Sequence, residues 1–366
     1  MGRDAADGIR VVIAGGGTGG HLTPALELGR ELARRGADVL LVGGTRGPDR
    51  AFLAGSGLPH RFLATPAVER GRWWRNALLP WRLTRAVAAA RRILRDHQPQ
   101  VAVGTGGYVS VPIVLAARVA GIPILLQEQN SVPGMATRFL ARFARRVCVQ
   151  YEEVAERLGG SGKVEVTGSP IAPPEPAEAD FAERLDAGRL TVGVFGASQG
   201  ARGINDAVLG LLAGDPDAAG YNLVWQTGAA DHARIEAAAA WPRRFVVRPF
   251  FAPMGAVYPR LDLIVCRGGA MTLAEVTAWG IPAIVVPYPH ATADHQTANA
   301  RALESAGAAI VVLERDLAAR RLGHLIDGLL ADSGRRASMA RAARGLGRPR
   351  AAADVADRVI EIAEAA

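Results

Sequence analysis

Gly15-Gly16-Gly17-Thr18-Gly19-Gly20-His21 follows directly on the apolar run at residues 9–14, and the reading of this passage decides the fold. A short β-branched run reads as a buried strand, and glycine lets the chain turn sharply out of it. Beyond the turn Leu22, Leu26, Leu28 and Leu32 recur at helical spacing, so the passage reads strand, turn, amphipathic helix. Glycine also lets main-chain N–H groups come close to an anion that side chains would hold away.

The arrangement recurs at three other places. Gly104-Thr105-Gly106-Gly107-Tyr108 follows the run 101–103, Gly196-Ala197-Ser198-Gln199-Gly200 follows 190–195, and Arg267-Gly268-Gly269-Ala270-Met271-Thr272 follows 263–265. Further strand-like runs lie at 39–42, 124–126, 147–149, 223–225, 245–247 and 283–286, separated by helical segments long enough for crossovers. That alternation implies parallel sheets. It stops between residues 167 and 180, where Pro170, Pro173, Pro174 and Pro176 read as a linker. The expectation is an α/β chain of two doubly wound, Rossmann-like domains facing a cleft, at residues 1–168 and 187–345, with a linker at 169–186. Residues 335–366 look helical, with Val355, Val359 and Ile362 on one face, and the end of the chain, 346–366, is expected to pack back on the first domain.

At 366 residues the chain exceeds what one core usually serves. Its net charge of +8 is uneven: 23 Lys and Arg stand against 13 Asp and Glu in residues 1–168, and 20 against 22 in the rest. The basic first half fits an anionic partner, or simply a solvated surface. Cys148 and Cys266 form no C-x-x-C pair, so neither a disulfide framework nor a thiolate metal site is indicated, and a cytoplasmic setting is expected. Residues 1–8 lack the apolar core of a signal peptide, and the apolar stretch 109–126 is broken by Arg118 and Gly121-Ile122-Pro123. Any membrane contact is therefore expected to be peripheral.

Gly15-x-Gly17-x-x-Gly20 satisfies the dinucleotide fingerprint, yet no acid stands at 42–45, where the second strand ends and the ribose would be held. This speaks against a nicotinamide enzyme. His21, at the opening of a helix, reads either as a packed side chain or as a base, since an imidazole accepts a hydroxyl proton near neutral pH. Glu275, a turn into the helix after Gly269, reads either as a favourable charge at a helix N-terminus or as an acceptor for ribose hydroxyls. Asp215-Pro216-Asp217 has the D-x-D form that carries Mg²⁺ nucleotides, but two carboxylates are few ligands for such a cation. Neither a metal site nor a cofactor is expected. Arg72, Trp73, Trp74, Arg75, Leu78, Leu79, Trp81 and Arg82 interleave rings, leucines and arginines, as a packed loop or as a surface for an anionic membrane. No nucleic-acid motif is present, and no nucleic-acid partner is expected.

Together, Thr18-Gly19-Gly20-His21, Gly106-Gly107-Tyr108-Val109-Ser110, Glu128-Gln129-Asn130, Ser198-Gln199-Gly200-Ala201-Arg202, the stretch 270–275 and His295-Gln296 to Asn299 resemble, in order and spacing, the MurG family of N-acetylglucosaminyltransferases. The resemblance runs nearly end to end. It implies a GT-B fold and a peripheral enzyme of the inner face of the bacterial membrane that builds lipid II from lipid I for peptidoglycan synthesis. UDP-N-acetylglucosamine and polyprenyl-pyrophosphoryl-MurNAc-pentapeptide are then its substrates, and no cofactor is implied. By the same resemblance Ser198, Gln199, Gly200 and Arg202 face the donor diphosphate, Phe251 borders the uracil, and Ala270, Met271, Thr272 and Leu273 belong to the donor site. Glu275 takes the ribose and Gln296 the sugar hydroxyls. Thr18, Gly19, Gly20 and Asn130 complete the donor site, and Gly106, Gly107, Tyr108 and Glu128 meet the acceptor, with His21 as the base. Two departures stand out: Thr167-Gly168-Ser169-Pro170-Ile171-Ala172 replaces a family Thr-Gly-Asn-Pro-Val-Arg, and Gln127 replaces a histidine. The first removes a donor-contacting arginine. Nearest to this reading stand another GT-B transferase and a UDP-sugar epimerase.

Overall fold

The computed structural model describes residues 6–17, 19–45, 49–66, 78–159, 162–196 and 200–365. The chain divides into two compact units, residues 1–172 with 350–366, and residues 173–349.

The first unit runs β1 (Arg10–Ala14), α1 (Gly19–Arg34), β2 (Asp38–Gly44), α2 (Asp49–Ala54), β3 (His60–Leu63), α3 (Leu79–His97), β4 (Val101–Gly104), α4 (Gly107–Ala120), β5 (Ile124–Glu128), α5 (Met135–Leu140), β6 (Arg146–Val149), α6 (Glu152–Arg157) and β7 (Val164–Val166). The second runs β8 (Thr191–Phe195), α7 (Arg202–Leu211), β9 (Asn222–Gln226), α8 (Ala229–Glu236), β10 (Phe245–Arg248), β11 (Leu263–Cys266), α9 (Ala270–Trp279), β12 (Ala283–Val285), α10 (His295–Ser305), β13 (Ala309–Val311), α11 (Ala319–Ala331) and α12 (Ser333–Leu346). The last helix, α13 (Ala351–Glu364), returns to the first unit.

All strand neighbours are parallel. The orders are β3-β2-β1-β4-β5-β6-β7 and β10-β9-β8-β11-β12-β13, so each sheet reverses its direction of growth at one point, between β1 and β4 and between β8 and β11. The four glycine turns follow those four strands, and in doubly wound sheets the crevice at such a reversal is where ligands bind.

Burial explains why these segments pair. Val11, Ile13, Val101, Val103 and Leu125 face the same core as Leu22, Leu28 and Leu32 of α1, and α13 adds Val355, Val359, Ile360 and Ile362 to it. Val192, Val194, Leu223, Trp225, Leu263 and Val265 form the core of the second unit with Ile204 and Val208 of α7. The helical signal at 335–366 is two helices, not one: Pro349, which lacks an N–H and disfavours helix in the residue before it, separates α12 from α13. Arg35 ties α13 to α1 through Asp357, and Arg358 ties it to β7 through Glu165.

The stretch expected as a linker is bound down along its length. Ser169 N–H donates to Gln150 Oε1 at 2.6 Å in the first unit. In the second, Ala177 N–H donates to the Gly255 carbonyl at 3.0 Å and Asp186 N–H to Asn222 Oδ1 at 2.9 Å.

Candidate active site

In the first unit the turns after β1 and β4 interlock. Gly107 has φ +75°, and a Cβ there would lie 2.0 Å from the Gly16 carbonyl oxygen, so only glycine permits this approach. His21, in the first turn of α1, is half-buried. Its Nδ1 lies 3.1 Å from the Thr105 carbonyl oxygen, which also accepts from Gln129 Nε2 at 2.9 Å. A carbonyl oxygen can only accept, so Nδ1 carries the proton and, in the neutral ring, Nε2 holds the free lone pair. The Thr105 hydroxyl returns a bond of 2.8 Å to the His21 carbonyl. The imidazole is thus fixed in both tautomer and position by the β4 turn.

Gly19, Gly20 and Tyr108 are exposed near it, and Asn130 is half-buried at the end of β5. Glu128, expected at the acceptor, is 2% exposed. Its Oε1 accepts from Asn130 N and Nδ2, both at 3.1 Å, and its Oε2 from Gly134 N at 3.0 Å and the Thr137 hydroxyl at 2.6 Å. Glu128 therefore holds the loop that presents Asn130 and turns no oxygen outward. Asp49, given no role in the sequence reading, comes from the start of α2 to accept from Gly44 N–H at 2.7 Å and from Gly17 N–H at 3.0 and 3.1 Å.

The two departures from the family pattern meet in one place. Gln127 Nε2 donates to the Gly168 carbonyl at 2.9 Å, next to Ser169, and Ala172 is exposed.

In the second unit the opening of α9 is bare. No side chain caps Gly269, so the amides of Ala270, Met271 and Thr272 are helix-end donors without intrahelical partners, at the positive end of the helix dipole. The Leu273 amide already bonds the Gly269 carbonyl at 3.0 Å and its side chain is buried, so Leu273 offers a ligand neither group. Gly200 has φ +80°, and a Cβ there would lie 2.3 Å from the Thr227 carbonyl oxygen. Asn205 braces that carbonyl at 2.9 Å while accepting from Trp225 Nε1 at 3.0 Å.

Glu275 accepts from the Tyr258 hydroxyl at 2.7 Å. Burial, reinforced by this carboxylate, pushes the Tyr258 phenol well above its ordinary pKa, so it stays a donor. Gln296 Oε1 accepts from Tyr288 N–H at 3.0 Å, and Asn299 Nδ2 donates to the Gly268 carbonyl at 3.2 Å, which joins α10 to the glycine turn. Arg267 bonds the Val286 and Pro287 carbonyls and Glu314, with its guanidinium 5.5 Å from the Tyr288 ring centroid. Phe251 is 3% exposed, with its ring against Phe181 and Phe195 and its N–H on Gln226 Oε1. The exposed ring beside it is Phe250, 56% accessible and passed over in the sequence.

Residues 11–149 match the glycosyltransferase family 28 N-terminal domain and residues 191–359 its C-terminal domain. The UDP-N-acetylglucosamine--N-acetylmuramyl-(pentapeptide) pyrophosphoryl-undecaprenol N-acetylglucosamine transferases of Syntrophotalea carbinolica and Chlorobaculum tepidum are 41% and 40% identical, over 97% of this chain and 98% and 100% of theirs. The crystal structure of Acinetobacter baumannii MurG superposes with a TM-score of 0.76 at 29% identity, covering 96% of this chain and 99% of that one. The chain belongs to the MurG family. Its two doubly wound sheets are those of a GT-B glycosyltransferase.

In this MurG-family chain, the acids of Asp215-Pro216-Asp217 are otherwise engaged. Asp215 Oδ1 accepts from Asp217 N–H at 3.0 Å, and Asp217 pairs with Arg244 at 2.7 Å. Among the described residues no group of three or more candidate metal ligands occurs, and no helix is long and apolar enough to cross a membrane. Thr18, Arg72, Trp73, Trp74, Arg75, Ser198 and Gln199 lie outside the described residues. Of the expected membrane-facing group, Trp81 is 57% exposed, with the Arg85 guanidinium 4.8 Å from its ring centroid. Leu78 and Arg82 are exposed and Leu79 is half-buried. On α5 Met135 is 66% exposed, and Arg142 lies 4.4 Å from the Phe139 ring centroid.

Proposed function

We propose that this chain moves N-acetylglucosamine from UDP-N-acetylglucosamine to the MurNAc 4-hydroxyl of lipid I, with inversion, giving lipid II for peptidoglycan synthesis. Similarity over 97% of its length to transferases of that name carries the reading. His21 Nε2 takes the hydroxyl proton as the oxygen attacks the anomeric carbon, and the bond from that carbon to the diphosphate breaks, with UDP leaving on the electron pair.

A positioned base contributes about 10²- to 10⁴-fold, whereas enzymes reach at least about 10⁶-fold. Alignment and stabilisation of the departing diphosphate supply the remainder. With Ala172 in place of an arginine, that stabilisation falls to main-chain donors at the start of α9 and to exposed Arg202. Glu275, set by Tyr258, accepts from the ribose hydroxyls. Phe250 supplies the exposed ring for the uracil, and Phe251 its backing.

The test is UDP release from UDP-N-acetylglucosamine with and without a lipid I analogue. Release that requires the acceptor is expected. Conversion of the nucleotide sugar without acceptor would instead indicate an epimerase.

Leu78, Trp81, Met135 and Phe139, interleaved with Arg82, Arg85, Arg138 and Arg142, support docking on an anionic membrane surface, which a polyprenyl-tailed acceptor requires. Binding to phosphatidylglycerol vesicles that weakens with salt is expected; equal binding to neutral vesicles would defeat the electrostatic part.

A further inference from the structure

We infer that Asp49 is a positioning residue for the transfer reaction, setting His21 through the first glycine turn. The inference rests on the reading of His21 as the base. Asp49 is 0% exposed, and the donors to its carboxylate are the amides of Gly17 and Gly44. A buried carboxylate is costly unless donors match it, so the turn and the acid fix one another. The Gly17 amide, of the kind that elsewhere cradles a phosphate, is filled by the chain's own anion.

The fixing reaches the imidazole through close packing. A Cβ on Gly16 would lie 2.4 Å from Asp49 Oδ2, and the Gly16 carbonyl oxygen lies 2.0 Å from where a Cβ on Gly107 would stand. Positions for Cβ on Gly106 and Gly107 lie 2.6 Å from His21 Nδ1 and 3.2 Å from its Cδ2. Carboxylate, turn and ring therefore form one stack with no slack, so a displaced turn displaces the ring. A shift of about an ångström at a reacting group costs on the order of 100-fold in rate.

Asp49→Asn keeps the volume but puts an NH₂ where one oxygen faced an amide N–H, donor against donor. It is expected to lower kcat by about 10- to 100-fold while the KM for UDP-N-acetylglucosamine stays within about twofold. Because the effect passes through His21, Asp49→Asn added to His21→Ala lowers kcat no further than about twofold. Asp49→Glu, which keeps the charge and both acceptors, is expected to recover part of the kcat, and would carry the test should the Asn variant fold poorly. Ordinary kcat in a folded Asp49→Asn enzyme, a rise in donor KM alone, a Glu variant no better than Asn, or multiplied losses in the double variant would each overturn the inference. Ordinary turnover of His21→Ala alone would instead remove the base reading on which it stands.

Discussion

The two sheets share one strand order over six strands, with β7 added to the first, and carry their glycine turns at matching places, yet the side chains behind the two reversal points differ. In the first unit the chain satisfies itself: Asp49 fills the Gly17 amide, and the Thr105 carbonyl is shared by His21 and Gln129. In the second the opening of α9, like that of α4 in the first, has no side-chain cap, and Arg267 is paired with Glu314. One end is shut around an imidazole with a defined lone pair. The other leaves the first amides of α9 without intrahelical partners, which fits the role proposed for them with the diphosphate. Topology selects the place; on the proposed reading, the residues on and behind each turn decide whether that place moves a proton or holds a phosphate.

The division of labour breaks first at His21. His21→Ala is expected to lower kcat by about 10²- to 10⁴-fold with little change in donor KM; a variant that lost donor binding instead would place the imidazole with the nucleotide. Thr272→Asp makes the second unit resemble the first by placing a carboxylate at the open helix end. Such a charge favours the helix itself, so thermal stability should hold, while repulsion of the diphosphate raises the donor KM about tenfold. An unchanged KM would show that the diphosphate lies elsewhere.

The smallest effect concerns the clamp on α13, a device of the first unit. The Arg358 guanidinium, hydrogen-bonded to Glu165, holds that carboxyl below its ordinary pKa. A depressed carboxyl stabilises the fold above its unfolded pKa, about 4.3, and that stabilisation is lost as pH falls through the folded value. The pair is about one-third exposed, so the gain is under about 1 kcal/mol. Urea melts of Glu165→Gln should fall slightly short of the parent at neutral pH and match it only in acid below the lowered folded pKa. A larger deficit in acid than at neutrality would reverse the sign.

How much of this was legible in the chain differs by element. The inner strands read clearly because parallel strands covered on both faces are continuous apolar runs. The strands passed over, β3, β7 and β13, are all at sheet edges, and β3 and β7 are only partly buried, so no run marks them. Pro349 was visible, and the break between α12 and α13 follows from it. Asp49 was not, because it acts on Gly17, 32 residues earlier, and only the return of the chain through β2 brings the two together. Phe250 and Phe251 look alike in sequence, and only the fold decides which ring is buried. The acids of 215–217 read as a pair until Arg244 takes one.

The return of α13 also has a consequence for biosynthesis. The chain leaves the first unit at residue 172 and re-enters it at 350, so the second unit is an insertion within the first. On the ribosome, β1 to β7 emerge before the inserted unit, but the apolar flank that Val355, Val359 and Ile362 cover stays bare until α13 follows it. The inserted unit has all of its strands long before then. The half that appears first is therefore completed last, and a nascent chain stalled before residue 350 would display a greasy face to the chaperones of the cell.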